Sequence, residues 1–204
     1  KLITLGEFEG KYYKPRIDLE QMKPYADHLI VTTACLASKL SREKDYQKCV
    51  EYVNEYKSIF NKGNFFLEMQ SHRSEDQAEY NRKILKLVKD TDTPFIITTD
   101  SHAARKEQLK YQGIFIGISQ DREVMDENYE GCYMQSVDEI HEIMDEQIGR
   151  EYVILGLETT NYIADMVEDI QQPFGSPKLP PFPIPEGYTY RTYMEKLLKD
   201  GWFR

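Results

Sequence analysis

The 204-residue sequence predicts an α/β fold organised around a parallel β-sheet. Three apolar runs, at residues 28–35, 65–70 and 94–99, have the length of buried strands. Stretches with helical spacing of apolar residues separate these runs. An alternation of strand and helix is typical of βαβ units, in which neighbouring strands run parallel.

The first third of the chain contains a loop, a strand and a helix by this reading. Residues 12–18 predict a loop that leads to a short helix. Residues 28–35 predict a strand that ends in a cysteine, and residues 45–60 place apolar side chains along one helical face. The pair at 63–64, Gly-Asn, breaks that helix before the second strand at 65–70.

The middle of the chain repeats the pattern. Ser74 is a predicted N-cap for a helix that carries Tyr80, Ile84 and Leu87 on one face. Residues 94–99 predict the third strand, and a further helix is expected over residues 106–118. The three strands therefore alternate with helices, as a parallel sheet requires.

In the last third of the sequence the pattern changes. Residues 121–131 are acidic and predict a loop, and residues 136–139 (Ser-Val-Asp-Glu) form a capping box that opens a short helix. Another helix is predicted over residues 154–167. Prolines dominate residues 173–185, which predicts an extended connector, and residues 190–199 predict a final helix.

Composition limits the classes of function. A net charge of −9, from 35 acidic and 26 basic residues, argues against a DNA-gripping surface over the whole chain and leaves room for a local basic groove. The three cysteines form no Cys-x-x-Cys pair, which suits a reducing cytoplasm, and Cys49 and Cys132 have no ligand-like context. No apolar run approaches the ~20 residues that span a bilayer, so no membrane role is expected. Because the sequence starts at Lys1, we interpret it as a piece of a longer protein.

The candidate site follows the third predicted strand. Asp100 and His102 form an Asp-x-His pair directly after the apolar run. In α/β folds the carboxyl ends of strands carry the chemistry, and carboxylate and imidazole are ligands for divalent metals. The alternative is that Asp100 caps the next helix and that His102 lies in a polar loop.

Two other strand ends contribute candidates. Cys35 closes the first predicted strand, and its thiolate would complete a mixed ligand set that suits zinc; the alternative is a buried, inert cysteine. Glu68 and His72 flank the end of the second strand and are candidates to orient metal ligands through hydrogen bonds. Glu68 would otherwise pair with Arg73 or face solvent.

Several segments together carry a resemblance to a known family. They are residues 12–18 (YYKPRID), 33–37 (TACLA), 65–72 (FFLEMQSH), 98–102 (TTDSH), 133–139 (YMQSVDE) and 179–187 (LPPFPIPEG). In this order and spacing they resemble the PHP (polymerase and histidinol phosphatase) domain of the alpha subunits of bacterial DNA polymerase III, the C-family replicative polymerases. The last segment is similar to the passage from that domain into the polymerase palm.

The resemblance implies a distorted (β/α)7 barrel of PHP type that lacks its N-terminal part, followed by a helical connector into the palm. Residues 1–120 would be the C-terminal portion of the barrel, and residues 121–172 the end of the PHP domain with a helical segment. Residues 173–204 would be the proline-rich connector and the first palm helix. Of the nine metal ligands in the family, the last three fall on Cys35, Asp100 and His102.

The resemblance also implies a function. The chain would be part of the catalytic alpha subunit of a replicative DNA polymerase, with a metal-dependent 3′–5′ exonuclease site in which Asp100 and His102 are catalytic. The PHP site would hold zinc or manganese, and magnesium would act in the palm, outside this chain. The partners would be primer–template DNA and other replisome subunits, including the sliding clamp and a proofreading subunit, in the bacterial cytoplasm at the nucleoid. The alternatives are a free-standing PHP phosphoesterase and a metal-free PHP scaffold.

Overall fold

A computed structural model of the chain describes residues 1–61, 63–120, 131–168, 175 and 181–202. The chain divides into two units, Lys1–Val167 and Glu168–Arg204. Residues 121–130 of the predicted acidic loop, and most of the predicted proline-rich connector, lie outside the described residues.

Three parallel strands form the sheet of the first unit, in the order β1-β2-β3. The strands are β1 (Val31–Thr32), β2 (Phe65–Gln70) and β3 (Phe95–Thr98). The register pairs are Val31 with Phe65, Thr32 with Phe66, and Leu67–Gln70 with Phe95–Thr98. Every residue of β2 is buried, as expected for the central strand of a parallel sheet covered on both faces.

The helices occupy most of the positions that the sequence predicts. They are α1 (Leu2–Phe8), α2 (Leu19–Met22), α3 (Lys39–Arg42), α4 (Tyr46–Ile59), α5 (Glu75–Thr91), α6 (Leu109–Gln120), α7 (Val137–Ile148), α8 (Arg150–Met166) and, in the second unit, α9 (Tyr190–Trp202). Short 3₁₀ turns cover Lys23–His28 and Lys106–Gln108. None of the helices described has both the length and the apolar character needed to cross a lipid bilayer.

The predicted helix caps are confirmed. Ser74 accepts a hydrogen bond from the Gln77 backbone at 3.4 Å and begins α5. Ser136 and Glu139 bond to each other's backbone N–H groups and begin α7. Both caps satisfy N–H groups that a helix end leaves without a partner, so local sequence alone determines where these helices start.

The first strand is shorter than predicted. Residues Lys23–His28 form a 3₁₀ helix, and only Val31 and Thr32 pair with β2. The chain then turns at Ala34, which has the left-handed φ of 55°. Cys35 therefore lies in the turn beyond β1. Within the described residues the sheet has three strands, so the α/β class and the parallel order are confirmed, while a seven-stranded barrel is not seen there.

Helix α8 packs directly on β3. At Gly156 an added Cβ would lie 2.8 Å from side-chain atoms of Ile97 and Phe95, so a glycine is required for this close approach. One turn further on, the Thr160 hydroxyl donates to the Ile97 carbonyl at 3.0 Å and accepts from the Ile97 N–H at 3.3 Å. These contacts hold the strand that leads to Asp100.

Candidate metal centre

Three side chains with metal-ligand chemistry meet beyond the carboxyl ends of β2 and β3. They are His72, Asp100 and Cys132, and one ligand atom of each lies within 4.8 Å of the other two. His72 is 8% exposed and Cys132 is 2% exposed, whereas Asp100 is partly open to solvent. Nitrogen, oxygen and sulfur donors together fit zinc or a similar divalent ion.

The turn after β3 positions Asp100. Its φ of 46° is left-handed, a conformation that costs a non-glycine residue about 1 kcal/mol or more. A distant segment of the chain holds the residues that follow Asp100, because the N–H groups of His102 and Ala103 both donate to the Cys132 carbonyl, at 2.8 and 3.2 Å. The same contacts therefore hold the backbone just after Asp100 and bring the cysteine beside it.

His72 is positioned by the strand end and by α7. The Ser71 N–H donates to the Thr98 carbonyl at 3.0 Å, which extends the β2–β3 pairing to the residue before the histidine. The Gln147 side chain in α7 donates to the His72 carbonyl at 2.8 Å. Gly131 lies against the imidazole, where an added Cβ would be 3.4 Å from the ring. The histidine is thus confined on three sides.

A buried amide supports this strand end from α5. Asn81 is fully buried; its side chain donates to the Gln70 carbonyl at 2.9 Å and accepts from the Gln70 N–H at 3.1 Å. It also donates to Gln147 at 2.8 Å and accepts from Gln77 at 3.0 Å. Asn81 therefore acts as a substitute strand partner for Gln70 and is linked through Gln147 to His72.

The predicted pair at the end of β3 lies together in space. His102 Nε2 is 3.6 Å from Asp100 Oδ1, and about a third of each side chain is exposed. Cys35 is half-buried in a turn closed by a hydrogen bond from the Ser38 N–H to its carbonyl, at 2.9 Å. Cys35 and His102 lie outside the tight group of three, which shares Asp100 with the predicted set.

The buried members of the group resist ionisation. Burial raises the pKa of the Cys132 thiol to about 12, and the charges of Asp100 and Cys35 add to this effect. Burial also lowers the pKa of His72 below its usual 6.5; His102 acts in the same direction and Asp100 opposes it. A neutral imidazole is the form that binds metal, and a bound cation favours the thiolate.

Glu68 joins the three strands beneath the site. It is 8% exposed, so it does not face solvent, and Arg73 lies 3.7 Å from Glu142 in an ion pair of its own. The hydrogen-bond donors to its carboxylate are Thr32 Oγ1 at 2.6 Å, Thr98 Oγ1 at 2.7 Å and Gln70 Nε2 at 3.0 Å. These contacts connect β1, β2 and β3 through one side chain.

Sequence reasoning did not identify Cys132. Its place in the group depends on the pairing of Ala103 with Tyr133, two residues far apart in the chain. The available sequence signal is weak: Cys132 directly precedes the segment 133–139 that carries part of the family resemblance. Apolar periodicity holds no information about such a contact.

A cavity of about 440 Å³ opens beside His72. Arg73 and Lys106 line it, and so do Glu139 and Glu142. The cavity therefore has mixed charge, with two cationic side chains close to the candidate metal ligands. Such cations attract phosphate groups.

The comparisons with known proteins agree on one group of related sequences. Residues 1–72 match the PHP domain family. Over 98% of its length the chain is 30% identical to DNA polymerase III subunit alpha of Borreliella burgdorferi, of which it covers 18%. It is 28% identical to DNA polymerase III subunit alpha of Aquifex aeolicus, with 98% of the chain and 18% of that protein aligned.

A further relative is the probable DNA polymerase YorL of Bacillus subtilis, 32% identical over 70% of the chain and 12% of that protein. The chain thus spans less than a fifth of the length of these relatives. The similarity extends from the PHP match through the remainder of the chain. The chain is therefore homologous over most of its length to DNA polymerase III alpha subunits, and its first 72 residues match the PHP domain family.

Proposed function

We propose that the chain is the PHP region of a bacterial replicative DNA polymerase and that its strand-end residues form part of a metal-dependent 3′–5′ exonuclease site. The observation that carries the proposal is the Asp100–His102 pair, 3.6 Å apart at the carboxyl end of β3. Homology to DNA polymerase III alpha subunits supports the polymerase context.

In this proposal the fold continues as the family resemblance implies. Residues 1–120 belong to a PHP-type (β/α)7 barrel, and residues 121–172 complete the domain. Residues 173–204 lead into a polymerase palm with α9 as its first helix. Polymerisation itself, and the magnesium that serves it, belong to parts of the protein beyond this chain.

The proposed metal ligands are Cys35, Asp100 and His102. Asp100 supplies a carboxylate oxygen, His102 a ring nitrogen and Cys35 a thiolate, a set that accepts zinc or manganese. A divalent cation held there supplies a bound water of lowered pKa and stabilises charge on the departing 3′-oxygen. The left-handed turn at Asp100 supports this role, because it sets the backbone from which the carboxylate would reach the cation.

The residues around the cavity would receive the DNA end. Arg73 and Lys106 present cationic groups beside His72, where the phosphates of a primer terminus would approach. The net charge of −9 makes a local contact of this kind more favourable than a broad DNA-binding face. The proposed partners are primer–template DNA and the replisome subunits, including the sliding clamp and a proofreading subunit, in the cytoplasm at the nucleoid.

The test measures metal content and release of nucleotides from a 3′-mismatched primer by the intact protein. We expect the wild type to hold divalent metal and to shorten the primer, and the double variant Asp100→Ala, His102→Ala to lose both properties. The matched control is His141→Ala, Asp145→Ala, which removes an Asp–His pair of 2.7 Å on α7 and should leave both properties unchanged.

Other outcomes would contradict the proposal in distinct ways. A metal-free wild type that does not shorten the primer would identify a PHP scaffold. A metal-loaded protein that hydrolyses small phosphate monoesters and ignores DNA would identify a free-standing phosphoesterase. Primer extension by the same samples tests the polymerase context separately.

A further inference from the structure

We infer that His72, Asp100 and Cys132 form a second, buried zinc position, which shares Asp100 with the proposed exonuclease site. The inference does not depend on nuclease activity, because two of its three ligands, His72 and Cys132, lie outside the set that the family resemblance supplies. It rests on the geometry of three separate segments of the chain.

The three ligands are brought together by backbone pairing. His72 follows β2, Asp100 follows β3, and Cys132 comes from the segment before α7. An isolated parallel bridge pairs Ala103 with Tyr133 and sets Cys132 beside the Asp100 turn. Because hydrogen bonds hold each segment, the group is built into the fold and needs no large rearrangement to bind an ion.

The spacing of the ligand atoms suits one zinc ion. Zn–S and Zn–N bonds of about 2.3 and 2.0 Å place tetrahedral ligand atoms roughly 3.3–3.8 Å apart. The atoms of the group lie within 4.8 Å of one another, and Cys132 Sγ is 3.6 Å from His72 Nε2. Binding would therefore require a contraction of about 1.5 Å at most, together with rotation of the imidazole about its soft terminal torsion.

The Cys132–His72 contact is a poor hydrogen bond. The sulfur lies 3.6 Å from Nε2 and 4.0 Å from Nδ1, so it is not aligned with either nitrogen of the ring. A bond along the axis of one nitrogen would place the other nitrogen much farther away. Cys132 and His72 are therefore in buried contact, but a hydrogen bond between them does not explain that contact.

Polar atoms near the group also lack partners. Ser71 Oγ and Gln135 Oε1 are buried and have no hydrogen-bond partner among the described residues. Ser71 precedes His72 in the chain, and Gln135 donates to the carbonyls of Ser71 and Gly131, next to two of the ligands. These two buried atoms therefore retain hydrogen-bonding capacity on residues that adjoin or contact the ligand-bearing segments.

The mixed donor set favours zinc over a hard cation. A thiolate and an imidazole on two nearly buried side chains select borderline metals, whereas magnesium and calcium prefer oxygen ligands. Zinc at this point would crosslink the segment before α7 to the ends of β2 and β3. The ion would then stabilise the rim on which the proposed exonuclease ligands stand.

The experiment titrates the intact metal-free protein with cobalt(II), a spectroscopic substitute for zinc, and counts bound zinc in parallel. A thiolate ligand gives a sulfur-to-cobalt charge-transfer band in the near ultraviolet. We expect Cys132→Ser to lose this band, in whole or in part, and to bind one zinc fewer per chain. His72→Gln should lose the same zinc, and circular dichroism confirms that both variants fold.

Two cysteine controls separate this inference from the proposed function. Cys49→Ser removes a fully buried cysteine whose thiol contacts the Glu43 carbonyl, and it should leave the band and the zinc count unchanged. Cys35→Ser tests the proposed exonuclease ligand set. If Cys35→Ser removes the whole band while Cys132→Ser leaves it intact, the buried position is refuted and the exonuclease site stands. A wild type without any thiolate band also refutes the buried position.

Discussion

Replacement of Asn81 by alanine tests how the strand end that carries His72 is supported. Asn81 is fully buried and makes four hydrogen bonds, two of them to the backbone of Gln70 and one each to Gln77 and Gln147. Truncation leaves these partners without their donor or acceptor at a fully buried position. The substitution therefore removes hydrogen bonds at the end of β2 and leaves every proposed metal ligand in place.

The expected loss of stability follows from the number of buried polar groups that lose their hydrogen-bond partner. Each buried polar group left without a partner costs about 1–3 kcal/mol. Counting the two Gln70 backbone groups in full and allowing the longer side chains to relax, we expect Asn81→Ala to lower the free energy of unfolding by about 2–6 kcal/mol. That is a large share of the roughly 5–15 kcal/mol available to a folded domain.

Urea unfolding near neutral pH measures the effect, with the midpoint and the slope fitted separately. Asn54→Ala is the matched control, since Asn54 is an exposed asparagine in α4 and its loss should change stability by less than about 0.5 kcal/mol. If the free energy of unfolding of Asn81→Ala lies within about 1 kcal/mol of the wild-type value, the Asn81 amide is not a substitute strand partner for Gln70.

Two further predictions concern packing and pH. Gly156→Ala should destabilise the protein by up to about 2 kcal/mol, because overpacking against β3 costs about 1–3 kcal/mol and the higher helix propensity of alanine returns about 1. Gly201→Ala in α9 meets no atom within 4 Å and should not destabilise; equal urea midpoints for the two variants would contradict the close approach of α8. His141 holds the pKa of Asp145 below its usual 3.8, so this carboxylate stabilises the fold above that pH and the contribution is lost as the pH falls through the lowered pKa. Asp145→Asn should therefore have a lower urea midpoint than the wild type at neutral pH and the same midpoint in strong acid. If its midpoint stays lower in strong acid, the lowered pKa of Asp145 does not explain the loss of stability.

Elements with a local signal could be predicted from the sequence. The apolar run of β2 and the caps at Ser74 and Ser136 needed no information from distant residues, and all three are confirmed. β1 was predicted too long, because an apolar run shows burial but strand length depends on pairing. Only Val31 and Thr32 meet partners on β2, and the residues before them form a 3₁₀ turn.

The candidate site divides in the same way. Asp100 and His102 are adjacent in sequence to a strand end, so their proximity could be predicted, and the structure places them 3.6 Å apart. The contact of Cys132 with His72 could not be predicted, because it depends on the pairing of Ala103 with Tyr133. The roles of the proposed exonuclease ligands and of the buried group as metal ligands both stay predictions.

The hydroxyl of Thr160 has a consequence for association between copies of the chain. It accepts from the Ile97 N–H and lies within hydrogen-bond distance of the Ile97 carbonyl, on the side of β3 that faces away from β2. An extended segment from another molecule that tried to add to this edge would find those backbone groups already engaged. Strand addition at Ile97 would therefore first have to displace the Thr160 hydroxyl from these groups.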